Sequence, residues 1–146
     1  MGLDQDAPPP DSWPAAIERL TRADRQRLTG PGLRAFFRLA EVWRLSAEEQ
    51  MMLLGVSSRS TLRRWRRGEV TALRKATLER LSLLFGIFKA INSLFVSSAR
   101  ADNWIRAPNK HPLFGGRSAI GVMATGRIED LYCVSDYLGS HIAPPL

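Results

Sequence analysis

The stretch from Leu45 to Gly68, LSAEEQMMLLGVSSRSTLRRWRRG, decides the fold that this sequence predicts. Ser46 and Glu49 form a capping box. The serine oxygen can accept a hydrogen bond from a free amide of the first helical turn, and the glutamate can accept one from the backbone amide of the serine. A helix should therefore begin there. Gly55 can adopt the left-handed conformation that lets the backbone leave this helix without a Cβ clash. These residues predict a short helix followed by a tight turn.

A second short helix should follow the turn. Ser57 or Ser58 can cap its start, and Gly68 can end it. Leu62 and Trp65 lie three residues apart, so both can point inward. The other faces are left to five arginines: Arg59, Arg63, Arg64, Arg66 and Arg67. Two helices joined by a short turn with a glycine are typical of a helix-turn-helix, whose second helix enters the DNA major groove.

The net charge is concentrated on this second helix and the segment after it. Eight basic and two acidic residues lie between Arg59 and Arg80, which accounts for +6 of the chain's formal +7. A confined positive field favours phosphate binding through counterion release, and arginine can also pair with guanine edges. The alternative is a merely solvated charged face. The coincidence of the arginines with a turn of the right length favours DNA binding.

Length and composition limit the number of domains and the classes of protein to which the chain can belong. A chain of 146 residues, 45% of them hydrophobic, can form one domain or two small ones that share a core. One cysteine excludes an internal disulfide and a multi-cysteine zinc site. The start, MGLDQDAPPPDSW, does not resemble a secretory signal, and the longest apolar stretch, 81–96, is too short to span a membrane. We therefore expect a soluble, cytoplasmic protein with no membrane partner.

The segment before the helix-turn-helix predicts two helices. Residues 1 to about 15 are rich in proline and aspartate, which favours a disordered or loosely attached start. Residues 16–28 predict a charged helix, and Thr29-Gly30-Pro31-Gly32 predicts a break after it. Apolar residues then recur at helical spacing and should pack under the helix-turn-helix: Leu33, Phe36, Phe37, Ala40 and Trp43.

Residues 73–95 predict a long helix whose apolar face is too wide for one surface, so it must be buried on two sides. One side can pack on the helix-turn-helix bundle. The other is free for the C-terminal segment or for a second subunit. A dimer is favoured because a single helix-turn-helix reads little DNA and such proteins commonly bind paired half-sites. The alternative is that residues 104–146 cover the second side entirely.

The sequence changes character over residues 101–146. Residues 101–117 predict a turn-rich connector with aromatic anchors. Ser118 can cap a short helix that Gly126 closes, and a last helix should run from Arg127 to about Ser140. The end from Ile142 should be extended, because its prolines cannot continue a helix. Every predicted element is helical, so the expected fold class is all-α.

No group of residues indicates catalysis. Cys133 is expected to lie semi-buried beside the apolar face of the last helix, with no histidine near it in sequence. His111 and His141 are thirty residues apart and lack the spaced acids of a metal site. The glycine-rich pieces lack the strand, helix and lysine of a phosphate loop. We expect a binding protein rather than an enzyme, with no cofactor and no metal.

The order and spacing of these motifs resemble the Xre/MbcA/ParS antitoxins, partners of RES-domain toxins, over about residues 33–142. The first half of the resemblance is carried by Leu45, Ser46, Glu49, Leu53 to Ser57, Thr61 to Trp65, Gly68 and Glu69. The second half is carried by Trp104, Pro108, Asn109, Leu113, Gly115, Gly116, Ser118, Met123, Gly126, Leu131, Val134, Tyr137 and Leu138.

The resemblance implies a two-part antitoxin of a type II toxin–antitoxin system. Residues 33–100 would be an Xre-like helix-turn-helix with a long dimerisation helix, and residues 101–146 a small helical toxin-binding domain. Residues 1–32, which precede the resemblance, are expected from their composition to be a partly disordered segment. It also implies a homodimer that inhibits a cognate RES-domain toxin, which consumes NAD or transfers ADP-ribose from it, and that represses its own operon by binding operator DNA. In this family the C-terminal end lies against or in the toxin's NAD cleft.

Two sets of site residues follow from the resemblance. The DNA-binding candidates are the outward positions of the second helix: Arg59, Ser60, Arg63, Arg64 and Arg67. The toxin-binding candidates come from residues 104–117 and from the end of the chain: Trp104, Asn109, Leu113, Arg117, Tyr137, His141, Ile142 and Leu146. The alternative function is a stand-alone helix-turn-helix repressor whose C-terminal half only dimerises or binds a small effector.

Overall fold

The computed structural model describes the backbone of residues 13–142 and the side chains of residues 16–140. This part of the chain contains eight helices and no β-strand, so the predicted all-α fold is confirmed. The disorder expected for residues 1 to about 15 falls mostly outside the described residues. The helices are α1 (Trp13–Glu18), α2 (Arg22–Val42), α3 (Ala47–Leu54), α4 (Arg59–Arg66), α5 (Lys75–Leu94), α6 (Ser98–Trp104), α7 (Ala119–Met123) and α8 (Ile128–Ile142).

The predicted break between Thr29 and Gly32 is wrong, because α2 runs through it without interruption. The helix boundary lies earlier, at Thr21, which forms a capping box with Asp24. Tertiary packing overrides the weak local helix preference of this stretch. Gly32 lies so close to α5 that an added Cβ would be 3.3 Å from Leu81 Cδ1, so the glycine permits the helices to approach.

Thr29 also has a structural role inside α2. Its hydroxyl donates to the carbonyl of Arg25 at 2.6 Å and accepts the amide of Leu73 at 2.9 Å. Arg25 in turn donates to the Leu73 carbonyl at 3.0 Å. Pro31, which lacks an amide, lies on the exposed side of the helix, where water can pair with the carbonyl that it leaves free. The supposed breaker therefore anchors the segment that leads into α5.

The predicted helix-turn-helix is confirmed as α3 and α4. Ser46 and Glu49 form the expected capping box, with hydrogen bonds of 3.1 and 2.9 Å. Gly55 ends α3 in the left-handed conformation, with a φ of 75°. Of the two candidate serines, Ser58 caps α4. Leu62 is buried, and α4 packs against α2 and α3.

Helix α5 is the central element and is buried on two sides, as predicted. The helices α2 and α3 pack on it together with α1, and α8 packs along it from the other half of the chain. Phe85 and Phe88, which lie on the side of α5 that faces α2, are only half-buried. The buried side chains of both halves form one hydrophobic core. The stability of each half therefore depends on the other.

The C-terminal half departs from prediction in two places. Helix α6, capped by Ser97, replaces the start of the expected connector. Helix α8 includes Ile142, which was expected to be extended. The reason is that a proline restricts only the residue directly before it, here Ala143, and not the one before that. Ser118 caps α7 as predicted.

Candidate functional site

The outward face of α4 presents all the DNA-binding candidates together. Leu62 and Trp65 take the inward positions of this eight-residue helix, one buried and the other half-buried. The opposite face is left exposed to solvent and carries Arg59, Ser60, Arg63, Arg64 and Arg67. The helical spacing therefore brings these residues onto one basic surface, and their contact with DNA stays a prediction.

Two arginines at the ends of this surface pair with acids. Arg59 forms an ion pair with Glu48 of α3, and Arg67 Nε lies 2.8 Å from Glu69 Oε2. The hydrogen bond from Arg67 holds the pKa of Glu69 below its usual value. Because all four side chains are more than half exposed, water screens these pairs strongly. A phosphate can therefore replace the carboxylates at little cost.

The other three arginines of α4 differ in the contacts that their side chains make within the molecule. The Arg63 side chain makes no ion pair or hydrogen bond within the described residues, and Arg64 donates only to a hydroxyl of its own helix. Arg66 instead lies over the Phe37 ring, 4.5 Å from its centroid, and donates to Gln50 Oε1 at 2.8 Å. Arg66 thus fastens α4 to α2 and α3. Arg63 and Arg64 are the cations most available to a phosphate.

Arg80 does not belong to the surface charge that the sequence suggested. Its guanidinium donates to the carbonyls of Met52 and Leu53 at 3.2 and 3.4 Å, and to the carbonyl of Gly126 at 2.8 Å. Burial lowers its pKa from the usual value. Arg80 therefore links the end of α3 to the loop before α8, which no pattern in the sequence indicated.

Two arginines of α2 lie in a groove beside α4 and were missed in the sequence. Arg34 and Arg38 lie one helical turn apart and are exposed. Together with Arg66 they line an open groove of about 300 Å³ whose walls include Phe37 and Trp65. Their four-residue spacing is visible in the sequence, but the groove forms only where α2 packs beside α4.

Two of the toxin-binding candidates lie in an aromatic cluster of Trp104, His111, Phe114 and Tyr137. The rings of Trp104 and Tyr137 are nearly parallel, with centroids 6.5 Å apart. Phe114 is buried and lies edge-on to both, at 6.0 and 5.1 Å. His111, which was not predicted as a site residue, lies 4.8 Å from the Tyr137 ring. The cluster joins α6, the following loop and α8 into one partly exposed surface.

The loop that carries this cluster contains three further candidates. Asn109 shapes the loop, since its amide donates to the Arg117 carbonyl at 3.0 Å and its side-chain oxygen accepts the His111 amide at 2.9 Å. Leu113 is half-buried and Arg117 is exposed. The remaining candidates have side chains outside the described residues and stay predictions: His141, Ile142 and Leu146.

Arg106, which sequence reasoning also missed, joins the C-terminal half to the helix-turn-helix. It donates to Glu49 Oε1 and Oε2 at 2.7 and 3.0 Å. It also donates to the carbonyls of Trp43 and Arg44 at the end of α2. The Arg106 guanidinium holds the pKa of Glu49 below its usual value. A forked guanidinium suits this double carboxylate contact, but nothing in the sequence pairs residues so far apart.

The histidine, cysteine and acidic side chains of the described residues are scattered. Within them, no three histidine, cysteine, aspartate or glutamate side chains are grouped closely enough to hold a metal ion. Cys133 is exposed and not semi-buried as expected, because Leu131, Val134 and Leu138 take the buried face of α8. Among the described helices, none combines the length and apolar character needed to cross a membrane.

Two family models match adjacent parts of the chain. The antitoxin Xre-like helix-turn-helix domain matches residues 19–86, and the antitoxin Xre/MbcA/ParS C-terminal toxin-binding domain matches residues 92–141. The chain belongs to the Xre/MbcA/ParS family of antitoxins. The second match covers the aromatic cluster and Arg106, so both lie in the toxin-binding part of the antitoxin.

The antitoxin also has a curated relative in Sinorhizobium fredii, named "Uncharacterized protein y4oB". The two are 48% identical over 106 residues, which is 73% of this chain and 80% of the relative. The two family models confirm the resemblance to this antitoxin family. The protein is an antitoxin of a toxin–antitoxin system, with a helix-turn-helix part and a toxin-binding part, and such families are in general not enzymes.

Proposed function

We propose that this antitoxin binds and inhibits a RES-domain toxin, that it does so as a homodimer, and that it represses its own operon by binding operator DNA through α4. The toxin would consume NAD or use it to ADP-ribosylate a target. The match of residues 92–141 to a toxin-binding domain carries this proposal. It favours an antitoxin over a stand-alone repressor, since a repressor has no need of a toxin-binding part.

The two proposed binding surfaces lie on different elements of the fold. Helix α4 packs against α2 and α3, whereas α6 and α8 of the toxin-binding half pack against α5. The exposed arginines of α4 and the aromatic cluster are therefore carried by separate parts of the bundle. This separation supports a complex in which the antitoxin binds toxin and DNA at the same time.

An apolar groove between α2 and α5 supports the proposed homodimer. It has a volume of about 320 Å³ and is lined mainly by Leu39, Val42, Phe85 and Phe88. Val42 is 42% exposed, which is unusual for a large apolar side chain beside two half-buried phenylalanines. Burial of such side chains in a second copy of the chain would stabilise a dimer.

Sedimentation of the purified antitoxin tests the dimer. We expect Val42→Glu to shift the protein from dimer to monomer, because a charge in an apolar contact is strongly unfavourable. Gln26→Glu, at an exposed position of the same helix, makes a matched control and should stay dimeric. A Val42→Glu protein that remains fully dimeric would place the subunit contact elsewhere.

Coexpression with the product of the adjacent gene tests toxin inhibition. Deleting residues 101–146 would expose apolar side chains of α5 that are buried in the hydrophobic core. A charge reversal at an exposed residue leaves the core intact and therefore tests toxin binding more directly. We expect cells to survive with the unaltered antitoxin and to die with Arg117→Glu. Arg100→Glu is the control, because Arg100 is exposed on α6 and its side chain has no ion pair among the described residues.

The outcomes of this experiment distinguish a wrong toxin-binding site from a wrong toxin partner. If both variants protect cells equally well, the toxin does not bind at the loop that carries Arg117. If the unaltered antitoxin neither protects cells nor copurifies with a neighbouring RES-domain protein, the proposed partner is wrong.

A further inference from the structure

The open groove between α2 and α4 combines positive charge with aromatic surface. Its volume of about 300 Å³ is at the lower end of the range for small-molecule sites in proteins. Its larger apolar side chains come from α2, α4 and the segment after α4: Leu33, Phe37, Trp65 and Val70. Its charged side chains are Arg34, Arg38, Glu41 and Arg66. Three guanidiniums against one carboxylate leave the groove with a net charge of +2.

The two groove arginines of α2 are available to a ligand. Neither the Arg34 nor the Arg38 side chain makes a hydrogen bond or an ion pair with any described residue, and both are exposed. Arg34 lies along α2 over Gly30, since a Cβ added to that glycine would be 3.2 Å from Arg34 Nη1. The absence of a side chain at Gly30 therefore makes room for this guanidinium at the groove. Two guanidiniums one helical turn apart can hold a carboxylate by several charged hydrogen bonds.

Phe37 and Trp65 add flat apolar surfaces beside these cations. Both side chains are half-buried and both line the groove. Arg66 covers one face of the Phe37 ring, 4.5 Å from its centroid, and adds a planar guanidinium on which an aromatic group can stack. An aromatic ligand in the groove would therefore bury apolar surface that the fold leaves in contact with water.

We infer that this groove binds a small aromatic carboxylate, with the ring of the ligand against Trp65 and its carboxylate between Arg34 and Arg38. The net positive charge would repel a cation. An uncharged apolar ligand would remove water from the guanidiniums without offering them an acceptor. A small inorganic anion would leave both aromatic rings uncovered. The inference goes beyond the proposed function, and binding of the ligand requires neither DNA nor toxin.

Titration of cinnamate into the full-length ¹⁵N-labelled chain at constant ionic strength tests this site. Trp65→Phe identifies the indole N–H signal of Trp65, and we expect cinnamate to shift that signal saturably. Arg34→Gln and Arg38→Gln should each weaken cinnamate binding about tenfold, because each removes a charged donor to the carboxylate. Both side chains are exposed, so the fold should be unaffected. Arg22→Gln, at an exposed position of the same helix that does not line the groove, should leave binding unchanged.

Two further probes separate the contributions of the ring and of the charge. Cinnamamide keeps the ring without the charge, and acetate keeps the charge without the ring, so each should bind at least about tenfold more weakly than cinnamate. The inference is overturned if cinnamate gives no saturable shift of the Trp65 indole signal, or if either probe binds as tightly as cinnamate. It is also overturned if Arg34→Gln and Arg38→Gln bind cinnamate as well as the unaltered chain does, or no more weakly than Arg22→Gln.

Discussion

Arg106 donates hydrogen bonds to both carboxylate oxygens of Glu49 and so fastens the toxin-binding half to the first helix of the helix-turn-helix. The same carboxylate accepts the amide of Ser46 and begins α3. One acidic residue therefore serves a local cap and an ion pair with a residue 57 positions away. The two halves are joined by this pair as well as by their common core.

Replacing Arg106 by leucine should lower the free energy of unfolding by about 2 kcal/mol, measured by urea denaturation. The change would leave the partly buried Glu49 carboxylate without its cation and remove a donor from the Trp43 carbonyl. Arg127→Leu is the control: Arg127 is 69% exposed in its ion pairs, so its loss should cost less than about 0.5 kcal/mol. Equal losses of unfolding free energy in the two variants would show that the Arg106 ion pair stabilises the protein no more than an exposed ion pair does.

The same ion pair should make stability fall in acid. Hydrogen bonding to Arg106 lowers the pKa of Glu49 from its ordinary value of 4.5, so the pair's contribution is complete above that pH and is lost as pH falls through the folded-state pKa. The stability difference between the unaltered chain and Glu49→Gln should therefore be constant near neutral pH and shrink in acid. Urea denaturation across pH measures it, and a difference that does not change with pH would contradict the prediction.

Changing Arg63 and Arg64 to alanine should weaken binding to the promoter region of the antitoxin's own gene. Their side chains are the least engaged cations on the outward face of α4. If each contacts a phosphate, the salt dependence of the binding constant should lose about one unit of slope per arginine. The double change Arg100→Ala and Arg127→Ala removes the same charge from the other half. An identical slope in both double variants would exclude a local contact by α4.

Gly55→Ala should destabilise the protein more than Gly68→Ala. Both glycines have positive φ, 75° and 80°, a conformation that costs other residues about 1 kcal/mol. A Cβ on Gly55 would also lie 2.8 Å from Arg80 Nε, whereas one on Gly68 would meet nothing within 4 Å. Arg80 is held by its bonds to backbone carbonyls and cannot move away freely. Thermal unfolding compares the variants, and equal shifts would show that Arg80 adapts.

Local signals predicted the helix-turn-helix correctly because its determinants are adjacent in sequence. Ser46, Glu49 and Gly55 act on their own helix through hydrogen bonds and backbone conformation. The same kind of signal failed at Thr29 to Gly32, because the cost of a glycine or an exposed proline in a helix is smaller than the stabilisation from packing α2 on α5. Helix α6 was missed because only its Ser97 cap distinguishes it from the loop that follows.

By itself, the sequence determined the helical class, the two helices of the helix-turn-helix, the exposed arginine face of α4 and the family to which the antitoxin belongs. These properties depend on residue spacing, which a helix converts directly into a shared face. Only the tertiary structure decided which arginines are free. Three arginines make contacts within the molecule: Arg66, Arg80 and Arg106. The sequence does not reveal these contacts, because the partners lie far away in the chain and meet the arginines only after the helices have packed.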